Sequence, residues 1–280
     1  MWAALALSVL FVPTVLGQNN NATNPMQTRL AYAGPTGMSI AWNTFTQLTK
    51  PMVKYGLSAS SLNLTSPAGI SITYPTSSTY NNHVKITGLK PGTLYYYQPQ
   101  PTNLTTPLTF QTSRLPGDGT PFSVALVVDM GVMGPEGLST TVGTGAGGPL
   151  APGDNNTIQS LQAQPGFDFL WHRMSFSYVF FTYVISYVDL FTILAGDIAY
   201  ADYWLKEEIQ GYLPNTTIAD GFMVYERLLN RYYDQVSVVS SQKPYMVGPG
   251  NHEANCEIFR SAIARDAIFQ GPPSEIDISD

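Results

Sequence analysis

The sequence predicts an all-β sandwich followed by an incomplete α/β domain built as layered sheets with flanking helices. Three observations lead there. Between residues 24 and 113, short apolar or alternating runs recur between Gly, Pro, Ser and Asn turns, the pattern of packed antiparallel strands. Past a turn-rich stretch, Pro121–Val128 is an almost unbroken apolar run, as expected of a strand covered on both faces of its sheet. Farther on, Phe222, Val224, Leu228, Leu229, Tyr232, Tyr233 and Val236 take a spacing that fits a helix packed on that sheet.

Taken in order, Met1–Gly17 is an apolar stretch ending in Val15-Leu16-Gly17, ahead of the polar run Gln18-Asn19-Asn20-Asn21. This reads as a secretory signal peptide, since it is short for a membrane span of about 20 residues. Within 24–113, Gly37–Trp42, Met52–Tyr55 and Asn82–Ile86 read as strands. Gly88-Leu89-Lys90-Pro91-Gly92 then turns the chain into a strand carrying Tyr95, Tyr96 and Tyr97. A tryptophan on an early strand and a later tyrosine-rich strand resemble a fibronectin type III domain, where such a tyrosine supplies a corner hydrogen bond. His83 beside Asn82 reads as a surface or cross-strand residue, and this domain holds no catalytic constellation.

Residues 114–120 form the linker to a second domain at 121–280. Asp129 falls just past the end of the apolar strand, where layered α/β folds place ligands. The glycine-rich Val142–Pro149 lacks the Gly-Lys-Ser/Thr ending of a phosphate loop and reads as a surface loop. A helix is expected to start in 154–164, and Trp171 and His172 take a packing or supporting role.

Composition narrows the function. Only 11% of the 280 residues are charged, against roughly 25% in ordinary soluble domains, so much of the surface is neutral polar or glycosylated. Sequons at Asn21, Asn63, Asn103, Asn155 and Asn215 agree with a secreted glycoprotein. The net charge of −6 argues against a nucleic-acid phosphate surface. Cys256 is the one cysteine, which precludes an intrachain disulfide and suits a small buried apolar residue.

Chemistry concentrates in three turns: Asp129-Met130-Gly131, Gly196-Asp197-Ile198-Ala199-Tyr200 and Gly250-Asn251-His252-Glu253. Carboxylates, an amide oxygen and imidazole suit hard and borderline cations. Two such cations a few Å apart clamp phosphoryl oxygens and activate a nucleophile for ester hydrolysis. A phenolate at Tyr200 favours a strongly Lewis-acidic trivalent ion such as ferric iron.

The order Asp-x-Gly, Gly-Asp-x-x-Tyr, Gly-Asn-His-Glu resembles the purple acid phosphatases, a branch of the calcineurin-like metallophosphoesterases. The resemblance implies that Asp129 and Tyr200 hold Fe(III), that Asp197 bridges to a divalent Fe, Zn or Mn, and that Asn251 binds that second ion. It makes His252 a substrate-facing catalytic residue rather than a ligand, and phosphomonoesters the small-molecule substrates. It also implies a fibronectin-like module ahead of the catalytic domain. Family members complete the site with one further His and a Gly-His-x-His segment after Gly-Asn-His-Glu. This sequence holds His83, His172 and His252 alone, so three imidazole ligands are missing and weak metal affinity with little turnover is expected. With strands still needed to close its sheets, the end at Asp280 reads as a cut.

Residues 173–195 are unusual. Met174–Val188 contains no charged residue, and the whole run is rich in aromatic and β-branched side chains. Fungal members resemble this chain on both sides, yet pass from Phe-Leu-Trp-His to Gly-Asp through about one residue. A membrane span is disfavoured, because it would part Asp129 from Asp197. A natural hydrophobic hairpin would expose an apolar patch that monomers rarely show. Translated intron sequence is the leading reading, with splice-like coding potential at Arg173-Met174-Ser175 and Leu194-Ala195. Two other function classes stay open: a metallophosphoesterase such as a phosphodiesterase or nucleotide pyrophosphatase, and a non-catalytic secreted binding protein.

Overall fold

Alternating burial along short strands builds the first half of the chain. The computed structural model describes residues 22–133, 155–164, 166–173, 197–204 and 217–248. Strands β1 (Met26–Tyr32), β2 (Met38–Thr44), β3 (Met52–Gly56), β4 (Leu64–Thr65), β5 (Ile70–Ile72), β6 (Tyr80–Ile86), β7 (Leu94–Gln100) and β8 (Leu108–Gln111) form two antiparallel sheets. Their orders are β1-β2-β6-β5 and β4-β3-β7-β8. On β2, Met38, Ile40, Trp42 and Thr44 are buried while Ser39, Ala41 and Asn43 are not, the period of two that a half-covered strand demands.

Inward side chains of both sheets meet in one core: Leu30, Ile40 and Trp42 from the first, Val53, Tyr97 and Phe110 from the second. The Tyr95 hydroxyl accepts the Lys90 backbone N–H at 3.0 Å, a corner bond that ties the strand to the turn before it. His83 pairs across the sheet, its Nε2 in hydrogen-bond contact with the Ser39 hydroxyl. Buried Asn82 donates to Thr44 Oγ1 at 2.9 Å.

The second half is a parallel sheet with helices. Strands β9 (Val124–Val128), β10 (Phe169–Arg173) and β11 (Tyr245–Val247) run in the order β11-β10-β9. Leu170 pairs with both Ala125 and Tyr245. Helix α1 (Thr157–Ala163) begins at Asn156, whose side chain accepts from Gln159 N–H while Gln159 Oε1 accepts from Asn156 N–H. That reciprocal box satisfies donors the first turn leaves open and starts the helix inside the stretch expected for one. Helix α2 (Gly221–Ser240) buries Val224, Leu228, Tyr232, Val236 and Val239, a stripe at helical spacing that packs with Leu170, Phe167 and Tyr245 in a second core.

The sheet departs from the expected two-sided cover. Val124, Leu126 and Val128 on β9 are exposed while Ala125 and Val127 pack on the second core. Among the described residues helix packs on one face of β9 only, and the apolar run alternates in burial accordingly.

Helix α2 also binds the sandwich. Ser240 donates to the Thr28 carbonyl at 3.0 Å, and Tyr97, fully buried, donates to the Ser241 carbonyl at 2.6 Å. Tyr74 donates to Glu226 at 2.9 Å, and Arg29 lies 4.5 Å over the Tyr233 ring. Among the described residues no helix is long and apolar enough to cross a membrane; the run at 174–195 lies outside them.

Three phenols at or near these contacts set an alkaline limit. Burial pushes Tyr32 up to about 12, with the Asp168 carboxylate adding to it. Burial and the bond to Glu226 push Tyr74 up to about 12, and burial holds Tyr97 well above the ordinary value. A raised folded value means that the stabilisation is full below the unfolded value near 10 and is lost as pH climbs through about 12. Urea midpoints are therefore expected to hold to about pH 9.5 and fall between about pH 10 and 12. Absorbance at 295 nm should show these tyrosinates forming only with unfolding; their ionisation in folded protein at pH 10.5 contradicts the assignment.

Candidate metal centre

Two of the three chemical turns meet at the carboxyl ends of the parallel strands. Asp129 follows β9 directly, and Met130, Val132 and the Ile198–Ala199 segment join the second core. Gly131 N–H donates to the Ile198 carbonyl at 2.9 Å, which stitches the Asp129 turn to the Asp197 turn. Tyr200 stands at the head of a short 3-10 turn, Ala201–Tyr203. Asn251 and His252 lie outside the described residues, as do Asn21, Asn215 and Cys256.

Backbone conformation marks the same residues. Asp129, Asp197 and Tyr200 have φ of 49°, 57° and 51°, and Gln27 is the one other non-glycine residue with positive φ among the described residues. Left-handed backbone is uncommon outside glycine and costs roughly 1–3 kcal/mol where the surroundings enforce it. Three candidate ligands sharing it is a local concentration of strain.

Electrostatics point the same way. Asp129 Oδ1 is buried with no hydrogen-bond partner, an acceptor left without a donor where a cation would satisfy it. Asp197 is 4% exposed, so its carboxylate too sits away from bulk water. The donor set of two carboxylates and a phenol fits part of a coordination shell for a hard or borderline cation. Among the described residues no three of His, Cys, Asp or Glu gather closely enough to hold a metal ion, so a complete shell needs donors from elsewhere.

Behind the turns lies a buried polar cluster. His172, on β10 and fully buried, has Nδ1 2.7 Å from the Tyr245 hydroxyl and 3.1 Å from that of Tyr232, and the two hydroxyls are 2.8 Å apart. Burial holds the imidazole down at about 4, against the Asp197 backbone and the Asp129 carboxylate, which pull it up. It is neutral near pH 7. Sequence reasoning saw packing or support at His172 and an apolar stripe at Tyr232, and passed over Tyr245. The available signal was the apolar Phe169–Trp171 run ahead of His172, which marks a strand able to lie beside the one that ends at Asp129.

A cavity of about 400 Å³ lies elsewhere, between β1 and α2, lined by Gln27, Glu226, Arg227 and Asp234 among others. It holds none of the candidate metal residues. The sequon residues Asn63, Asn103 and Asn155 are all exposed, as an attached glycan requires.

The fold and these turns define a β-sandwich joined to an α/β unit with an acidic, strained ligand edge. Residues 25–112 match the family model of the purple acid phosphatase N-terminal domain. Over 263 residues the chain is 35% identical to Acid phosphatase A of Cryphonectria parasitica, covering 91% of this chain and 45% of that protein. Over 254 residues it is 31% identical to an acid phosphatase of Aspergillus ficuum, covering 80% of this chain and 38% of the relative. A purple acid phosphatase from yellow lupin seeds, PPD1, shares 18% identity over 82% of this chain and 36% of its own, with a TM-score of 0.48. The first part of the chain is thus similar to the purple acid phosphatase N-terminal domain, and the chain spans less than half the length of the curated acid phosphatases it matches.

Two substitutions test the geometry. Asp129→Asn keeps a side chain that tolerates left-handed backbone and removes the charge from a half-buried carboxylate whose inner oxygen has no donor, so stability should rise by about 1 kcal/mol in urea unfolding. A fall instead would mean that the carboxylate is already paired. Gly221 opens α2 under the Trp204 indole, where a Cβ would come within 2.0 Å of the ring. Gly221→Ala should then destabilise by about 1–3 kcal/mol through overpacking, with a red shift in tryptophan emission as the indole moves; an unchanged midpoint would contradict that contact.

Proposed function

We propose that the protein is a metal-dependent acid phosphatase acting on phosphomonoesters, of which this chain carries the sandwich and one part of the active site. The single observation that supports it most is the stitching of the Asp129 and Asp197 turns by the Gly131–Ile198 bond, with both acids in strained backbone. The names of the curated relatives point to the same reaction.

In this reading Asp129 and Tyr200 would hold a ferric ion, Asp197 would bridge, and Asn251 would hold a divalent iron, zinc or manganese. The two cations would supply charge neutralisation at the phosphoryl group and nucleophile activation. The chain's own contribution is to fix two carboxylates on turns joined by the Gly131–Ile198 bond and to keep Asp197 away from bulk water. His252 would face the substrate and hold the proton for the leaving oxygen. A signal peptide at 1–17 and glycans at Asn21, Asn63, Asn103, Asn155 and Asn215 would make the protein secreted. The domain division into 24–113 and 121–280, with an aberrant insertion at 173–195, belongs to the same proposal.

With part of the ligand set, residues 18–280 should bind metal weakly and turn over p-nitrophenyl phosphate little above the background rate. Appreciable turnover abolished by Asp197→Ala would show that the chain already holds a sufficient site. Sequencing the transcript from the Trp171 codon onward tests the insertion: a message joining His172 to Gly196 through one codon supports it, and one encoding Arg173–Ala195 refutes it.

A further inference from the structure

We propose that the cleft between β1 and α2 binds a neutral saccharide, an assignment that does not rest on the metal-centre reading.

Both walls of the cleft bring polar groups. Glu226, Arg227, Asn230, Arg231 and Asp234 recur three to four residues apart, which sets them along one face of α2. Gln27, Thr76 and Ser78 of the sandwich stand opposite. The space between, about 400 Å³, falls in the range of small-molecule sites, which favour seams between domains. Gln27 is held there by more than chance packing. The β1–β2 register shifts between Met26 and Arg29, and Gln27 takes a φ of 55°, a combination of irregular pairing and left-handed backbone that marks functional edges. Its Nε2 donates to the Asn230 carbonyl and Asn230 Oδ1, both at 3.2 Å, and to Asp234 Oδ1 at 3.1 Å. Its Oε1 is buried with no donor, on a residue 4% exposed, and such orphan acceptors are rare in protein interiors. Glu226 is fixed from the same side, accepting from Tyr74 at 2.9 Å and from Thr76 at 3.2 Å.

The chemistry of the walls selects the ligand. Two carboxyls, Glu226 and Asp234, balance two guanidiniums, Arg227 and Arg231, so the lining carries no net charge to recruit an ion. Donors and acceptors stand side by side instead. Guanidinium N–H groups only give, carboxylate oxygens only accept, and the Thr76 and Ser78 hydroxyls can do both. A sugar ring matches that mixture, because each of its hydroxyls gives one proton and accepts others. Its C–H face needs an apolar partner as well, and Phe45 and Met223, each 52% exposed, line the same cleft. Arg227 is exposed and meets no hydrogen-bond or ion-pair partner among the described residues, which leaves its donors open to a ligand.

The test is a saturation-transfer NMR titration of the full 280-residue chain with the methyl glycosides of glucose, mannose and galactose. Saturable binding of at least one is expected, with a Kd on the order of 1 mM. Arg227→Ala should weaken it about 10-fold, as loss of one hydrogen bond to a charged group does, and Phe45→Ala about 3–10-fold through loss of the ring. Leu57→Ala, equally exposed but off the cleft, should leave it unchanged. All three side chains are exposed, and thermal unfolding checks that the variants fold. No saturable binding by any of the three glycosides overturns the proposal, as does binding that Arg227→Ala and Phe45→Ala both leave intact. Inorganic phosphate that displaces the glycoside and binds more tightly overturns the neutral class in favour of an anion. Free sugars and protein-borne glycans share this chemistry, and chain made with and without glycans separates them. Tighter glycoside binding by the unglycosylated chain assigns the cleft to the chain's own glycans, and equal binding assigns it to free sugar.

Discussion

Helix Gly221–Ser240 is the constraint on which the rest depends, because it is shared by both halves of the molecule. Its apolar stripe fills the core beneath the parallel sheet. Its polar flank and carboxyl end take Gln27, Thr28, Tyr74 and Tyr97 from the sandwich. The contacts differ in kind. Toward the sheet they are mostly apolar and non-directional, which sets how deep the helix lies. Toward the sandwich they are hydrogen bonds, which set its rotation, since a buried donor or acceptor left unpaired is expensive.

That rotation has chemical consequences. Tyr232 and Gln235 stand on the face that meets the Asp129–Met133 stretch, and Trp204, after the Asp197 turn, lies over Gly221 at the helix start. Two turns that are far apart in the chain are therefore held by one rigid element. Left-handed backbone at Asp129, Asp197 and Tyr200 persists because packing behind them over-determines their positions. The fold stores unfavourable conformation at the edge where the candidate ligands sit, and the hydrophobic core beneath offsets it.

The sandwich thus does more than precede the α/β unit. Leu30 of β1 bridges in parallel to Pro244, just ahead of β11, and Tyr97 reaches through its own core to the carbonyl that ends α2. Loss of the sandwich would leave the Ser240 hydroxyl and the Ser241 carbonyl without their Thr28 and Tyr97 partners. This explains in physical terms how a module without catalytic side chains can still matter to a neighbouring site.

Much of the first half was legible in the sequence because strand burial leaves a period of two, and Trp42, Val84 and Tyr97 carry it plainly. The long helix was legible for the corresponding reason, a period of 3.6 from Phe222 to Val239. The sequence by itself determined the types and order of the candidate ligands, since carboxylate, phenol and glycine at fixed spacings are local facts. What only the tertiary structure decided is which groups meet: that the Asp129 and Asp197 turns are joined through Gly131 and Ile198, that among the described residues helix covers one face of β9, and that His172 meets Tyr232 and Tyr245. Such meetings depend on register between strands and on the rotation of a helix, which long-range packing sets and no window of sequence contains.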